Sequence, residues 1–97
     1  MSLIQLDLSN YNLTDVHIDE IVSWLNHEIH HEFELNLFNN KIGNAGVQAL
    51  AQCRNIVGLN LSRNGFTFPG LQALAVNTTI TSLNVSGNGI GAAQAQV

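Results

Sequence analysis

The chain is short of charge, of cysteine and of bases, and each shortage removes a class of protein. Only 10% of its 97 residues are charged, against about 25% in an average globular chain. The three bases, Lys41, Arg54 and Arg63, are scattered, and all follow the last acid, Glu34. Nucleic acid, which is held by clustered Lys and Arg, is therefore not an expected partner. The single cysteine, Cys53, excludes an internal disulfide and fits a reducing, cytoplasmic setting. No apolar run approaches the ~20 residues that span a bilayer, so no membrane partner is expected. The opening MSLIQLDLSN has no base ahead of its apolar positions, unlike a secretory signal. The hydrophobic share, 45%, is ordinary for a folded domain and too high for disorder.

What charge there is falls into two halves. All seven acids (Asp7, Asp15, Asp19, Glu20, Glu28, Glu32, Glu34) precede Lys41, and no acid follows Glu34.

The dominant signal is a repeat. LIQLDLSNYNL (3–13), EFELNLFNNKI (32–42), IVGLNLSRNGF (56–66) and ITSLNVSGNGI (80–90) align on Leu6, Leu35, Leu59 and Leu83, with spacings of 29, 24 and 24 residues. GVQALA (46–51) and GLQALA (70–75) recur in the same step. In each unit Leu-Asn-Leu or Leu-Asn-Val alternates apolar with polar, which is strand period. Leu35 and Leu37 then face one way and Glu34, Asn36 and Phe38 the other. The first helical segment shows the other period: Ile18, Ile21, Val22, Leu25 and Ile29 mark one face of a helix from Asp15 to Asn26 or His31. Pro69 suits the first position of a later helix. Asn64-Gly65 and Asn88-Gly89 are hairpin-like dipeptides, yet the asparagine recurs with the repeat at Asn40, Asn64 and Asn88. It is expected to bond the backbone of its own bend and of the neighbouring one.

The pattern LxxLxLxxNx(L/I) followed by G-x-x-A-L-A resembles the leucine-rich repeat family. The 24-residue unit and its Gly-Ala-Leu-Ala block are similar to the ribonuclease-inhibitor-like subclass, and most of all to GALA-like repeats of bacterial effectors. The resemblance implies an α/β solenoid of about four strand-turn-helix repeats (3–31, 32–55, 56–79, 80–97) in one domain, with a parallel sheet on its concave face. It also implies a protein-interaction module without a cofactor, acting in the cytoplasm, or in a host cytosol if delivered as an effector. The first repeat departs from the pattern: Tyr11 replaces the asparagine, His17 replaces Gly46 and Gly70, and five residues are added. The register places a leucine at 98, so the last repeat is expected to stop in mid-helix.

HEIHHEF (27–33) contains His27-Glu28-x-x-His31, the H-E-x-x-H signature of zinc proteases. That chemistry needs both histidines on one continuous helix and a third protein ligand. No His, Asp or Glu follows Glu34, and His31 falls where a helix gives way to a strand. A metal-dependent hydrolase is kept as a remote alternative; no metal site is expected. Ser9, Ser62 and Ser86 repeat without a histidine partner, so a Ser-His pair is not supported. SGNGIG (86–91) lacks the Lys-Ser/Thr of a phosphate loop. Cys53 reads as a half-buried filler and Trp24 as packing.

There remains the outward face of the strands. Asp7, Glu34, Asn36, Phe38, Asn60, Arg63 and Asn84 are the expected partner-binding residues, with the outward aromatic Phe38 as anchor and Arg63 at the rim. Ser9, Ser62 and Ser86 share Phe38's row. A second expectation is a homodimer through the C-terminal repeat, where Ile80, Leu83, Val85 and Ile90 lack a following repeat. The alternative reading is a structural fragment whose activity lies in a longer protein.

Overall fold

A computed structural model describes residues 2–90 of the chain. Four strands and three helices alternate: β1 (Ser2–Asp7), α1 (Asp15–Leu25), β2 (His31–Asn36), α2 (Asn44–Ala51), β3 (Ile56–Asn60), α3 (Phe68–Ala75) and β4 (Ser82–Asn84). The strands form one parallel sheet in the order β1-β2-β3-β4. Leu6, Leu35, Leu59 and Leu83 stand side by side across it, as the spacing requires. The hairpin dipeptides lie instead in the bends that follow β3 and β4. The helix expected after Ile90 lies outside the described residues.

Helix and strand periods meet in one core. Leu35, Leu37, Leu59 and Leu61 point inward from the strands and the bends beyond them, and Ile18, Leu25, Val47, Leu50 and Leu74 meet them from the helices. Phe33 and Phe66 are fully buried between the repeats. Burying each such side chain contributes roughly 1.5–3 kcal/mol. Alpha helices of only eight residues, such as α2 and α3, are not stable alone. Their docking on the sheet is what makes them helical.

Helix α1 ends at Leu25, so Ile29 lies beyond it and is exposed. The cause is in the next repeat: Asn55 Nδ2 donates to Leu25 O at 2.9 Å and to Glu28 O at 3.2 Å, taking carbonyls that a longer helix would use itself. Helix α3 starts at Phe68, one residue before Pro69, with Thr67 as its N-cap. Cys53 is fully rather than half buried.

Buried bends leave backbone groups that no strand reaches, and the recurring asparagines satisfy them. Asn40 Nδ2 donates to Leu8 O and Leu37 O, while its Oδ1 accepts from the N–H of Tyr11 and of Leu13. Asn64 Nδ2 bonds Leu37 O and Leu61 O, and its Oδ1 takes Ile42 N–H. Asn88 repeats the arrangement on Leu61 O, Val85 O and Asn64 N–H. Each amide ties its own repeat to the one before.

The helix N-termini are tied in a second way. Asp15, at the start of α1, accepts Gly43 N–H at 2.7 Å, at the entry to α2. Asn44, at the start of α2, accepts Thr67 N–H and Gly70 N–H, both at 2.9 Å, at the entry to α3. Such caps satisfy orphan amide donors. Helix α1 is capped locally: His17 Nδ1 accepts Thr14 N–H at 3.0 Å and lies 3.1 Å from Thr14 Oγ1.

Candidate functional site

Side chains that do not enter the core line the outer face of the sheet. There they border an open trough of about 490 Å³, whose walls include Asp7, Glu34, Asn36, Asn60 and Asn84. Five of the seven sequence-selected residues are therefore brought together. Phe38 and Arg63 are not: both lie past the ends of the paired strands, outside the trough lining. Phe38 is half-buried and stays out of the core cluster, so strand parity is right, but it is not the exposed aromatic that parity alone suggested. Ser62 was expected to face outward and is instead only 4% exposed, its hydroxyl turned onto Asn60 Oδ1 at 2.9 Å.

The row Asp7, Asn36, Asn60, Asn84 is built one way in every repeat. Each Oδ1 accepts the N–H two residues on, from Ser9, Phe38, Ser62 and Ser86, at 3.0–3.1 Å. The serine hydroxyls add bonds of 2.6 Å to Asp7, 2.9 Å to Asn60 and 2.8 Å to Asn84. These local turns fix the side chains at the end of each strand. They also decide which groups are left over. The Nδ2 atoms of Asn36, Asn60 and Asn84 have no hydrogen-bond partner among the described residues, and neighbouring strands set them roughly 4.8 Å apart. The Ser9 hydroxyl and N–H hold the Asp7 carboxyl below the usual carboxylate range.

Gly58 opens the middle of the trough. A Cβ there would stand 2.9 Å from Glu34 Cγ, so the glycine lets the Glu34 chain lie across the sheet. Gln5 Nε2 approaches Glu34 Oε1 at 3.4 Å. The trough thus offers carboxylates at its β1–β2 end and free amide donors along its length. Arg63 sits at the margin in the left-handed region, with φ 54°, an unfavourable conformation for a side chain of this kind. The residues at its position in the other repeats are Asn10, Asn39 and Gly87, which adopt it more readily.

The H-E-x-x-H segment does not assemble a zincin site. His27 follows the end of α1, with Nδ1 donating to Ser23 O at 2.7 Å, and His31 is the first residue of β2. No continuous helix carries both rings. Among the described residues no group of three His, Cys, Asp or Glu side chains gathers to hold a metal ion. His31 leans edge-on toward Phe33, ring centroids 6.4 Å apart, and its Nδ1 is buried without a partner. Cys53 is sealed in the core, and burial pushes its thiol up from the ordinary value.

Sequence reasoning missed Asp15, Asn44, Asn55 and Asn77. Asn77 takes Ala51 O at 2.7 Å through Nδ2 and receives Thr79 and Ile80 N–H on Oδ1, both at 2.8 Å. Asp15 and Asn44 carried a signal, a side-chain oxygen at the same position of consecutive repeats. Asn55 and Asn77 carried none, because they do not align with each other.

Strand, asparagine bend and helix, repeated with side-chain links between units, define a solenoid that presents a polar sheet outward. The leucine-rich repeat family model matches residues 34–51, 52–75 and 76–93, and the chain belongs to that family. The first unit lies before these matches, yet its strand pairs with β2 in the common register. Comparison with curated proteins finds no match. Leucine-rich repeat domains generally mediate protein–protein interaction.

Proposed function

We propose that the chain is a protein-interaction module that holds its partner on the concave sheet face. One observation carries the reading: three asparagine Nδ2 donors in a row, fixed by their own turns and without internal partners among the described residues, alongside Asp7 and Glu34. Side chains held rigidly before binding lose little entropy on association. The matching partner surface offers acceptors to the amides and positive charge to the carboxylates. Phe38 and Arg63 serve at the margin of this face. Within the family, the GALA-like resemblance extends the reading to a bacterial effector, or a fragment of one, acting in a host cytosol.

Partner capture tests the proposal. Asn60→Arg fills the trough, while Gln48→Arg alters the exposed face of α2. A partner retained by the wild-type chain and by Gln48→Arg, and lost by Asn60→Arg, supports the concave face. Loss with Gln48→Arg alone refutes it. We also propose self-association at the β4 edge, where Leu83 is 43% exposed; sedimentation showing monomer alone at high micromolar concentration refutes that reading.

A further inference from the structure

The β1/α1 end of the solenoid carries a second surface, which adjoins the concave trough at Leu6. A groove of about 390 Å³ opens there, floored by Leu6, Leu8, Ile21 and Trp24, with Glu20 on its rim. Trp24 stacks edge-on against Phe33, ring centroids 5.3 Å apart, and remains 46% exposed. Beside the groove runs a free strand edge, since β1 pairs only with β2 among the described residues. Leu8 N–H bonds Asn36 O and Asn10 N–H bonds Phe38 O. By alternation along the strand, the N–H and C=O groups of Leu3, Gln5 and Asp7 point to the open edge, a template for another strand.

A further repeat stacked in register does not fit this face. At the internal junctions Gly46 and Gly70 let the preceding helix's capping residue come close: a Cβ at Gly46 would lie 2.5 Å from Asp15 Oδ1, and one at Gly70 3.0 Å from Asn44 Oδ1. In α1 that position is His17, whose ring fills the place of such a cap and already closes the first turn with Thr14. The ladder position is Tyr11, 66% exposed, with no amide to reach back. The edge and groove therefore suit something slimmer than a strand-helix unit. Charge narrows the choice: every acid of the chain lies between Asp7 and Glu34, and no base precedes Lys41.

We propose that the β1 edge accepts an extended segment of a partner protein in which apolar and basic residues alternate. Added to the sheet, such a strand sends its apolar side chains over Leu8 and Trp24 and its basic ones to the opposite face, toward Asp7. Main-chain bonds to Gln5 and Asp7 supply affinity, and the acidic surroundings select the sign of charge.

The test titrates the ¹⁵N-labelled chain with a capped peptide of alternating valine and lysine, and separately with its valine–glutamate counterpart. The expected result is a saturable shift and exchange protection of the Gln5 and Asp7 amides, with Trp24 emission moving to shorter wavelength. The glutamate peptide binds at least about tenfold more weakly, and Asp7→Asn weakens the lysine peptide by a similar factor. Asp7 is exposed, and an asparagine accepts the same N–H at this position in the other repeats, so that variant leaves the fold intact. Equal binding of both peptides, shifts confined to Asn60 and Asn84 on the concave face, or no saturable binding by millimolar peptide each overturns the proposal. The Asn60→Arg variant, which removes concave-face binding, leaves the β1 response unchanged if the two surfaces are independent.

Discussion

Asn40→Ala is the sharpest test of how the repeats are joined. Asn40 is only 6% exposed. Its Oδ1 accepts Tyr11 N–H at 3.1 Å and Leu13 N–H at 2.9 Å; its Nδ2 donates to Leu8 O at 2.9 Å and Leu37 O at 3.0 Å. Truncation does not orphan all four groups. Leu37 O keeps a bond from Asn64 Nδ2 at 3.0 Å, and Tyr11 is exposed enough for water to reach its N–H. Leu13 N–H and Leu8 O are left. An unsatisfied buried polar group costs roughly 1–3 kcal/mol, so two, with partial access of water, cost about 2–4 kcal/mol. A domain of this size has a total stability of roughly 5–15 kcal/mol, so the loss is a large share of it. Urea unfolding followed at Trp24, the single tryptophan, reads the effect as a lowered midpoint at unchanged slope. Asn84→Ala is the comparison: the same residue type, on the exposed sheet face, with an expected cost of at most about 0.5 kcal/mol. A loss below about 1 kcal/mol for Asn40→Ala, or equal losses for both, would falsify the ladder as the joint between repeats.

Three further outcomes are expected. Gly46→Ala places a Cβ 2.5 Å from Asp15 Oδ1 and 2.7 Å from Ile42 Cγ2; overpacking of this kind costs about 1–3 kcal/mol, and an unchanged melting temperature refutes the close approach. Ser9→Ala removes the 2.6 Å hydroxyl bond that lowers the Asp7 pKa, so the Asp7 midpoint in a carboxyl NMR titration rises. A lowered carboxylate contributes stability that is present above its unfolded value of about 3.9 and is lost as pH falls through the lower folded value; an unmoved midpoint contradicts the assignment to Ser9. Cys53 is sealed, with its thiol pushed up by burial, so a thiol reagent labels native protein at least about a hundredfold more slowly than urea-unfolded protein; similar rates would show that the core is open at Cys53.

The parts legible in the sequence are those that recur. Leu35 and Leu59 share one register, and Asn40, Asn64 and Asn88 do the same work three times, so copies confirm one another. What was misread depends on a distant contact that occurs once, or on local turns that alternation does not show. Asn55 stops α1 from the following repeat, and nothing near Leu25 announces it. Phe38 lies outside both the core cluster and the trough lining, because alternation says which side a residue faces and not where the strand ends. The turn onto Asn36 Oδ1, at 3.1 Å from Phe38 N, follows the last strand residue and carries Phe38 past the trough lining. Ser62 shows the same limit: an outward position became buried when its hydroxyl closed onto Asn60.

The helix caps give the molecule a direction. α1 closes its own first turn, whereas α2 borrows Asp15 from α1 and α3 borrows Asn44 from α2. In α3 the corresponding residue is Phe68, which has no side-chain oxygen to lend. At the helix N-termini the dependence therefore runs one way, from the earlier helix to the later, whereas at the C-termini Asn55 and Asn77 reach back to Leu25 O and Ala51 O. A ribosome delivers the chain in the same order. As α2 and α3 emerge, the oxygen that each needs at its N-terminus is already in place on its predecessor, so vectorial synthesis and the order of N-terminal capping coincide. A chain permuted to begin at β3 would have to form α3 before Asn44 had been made.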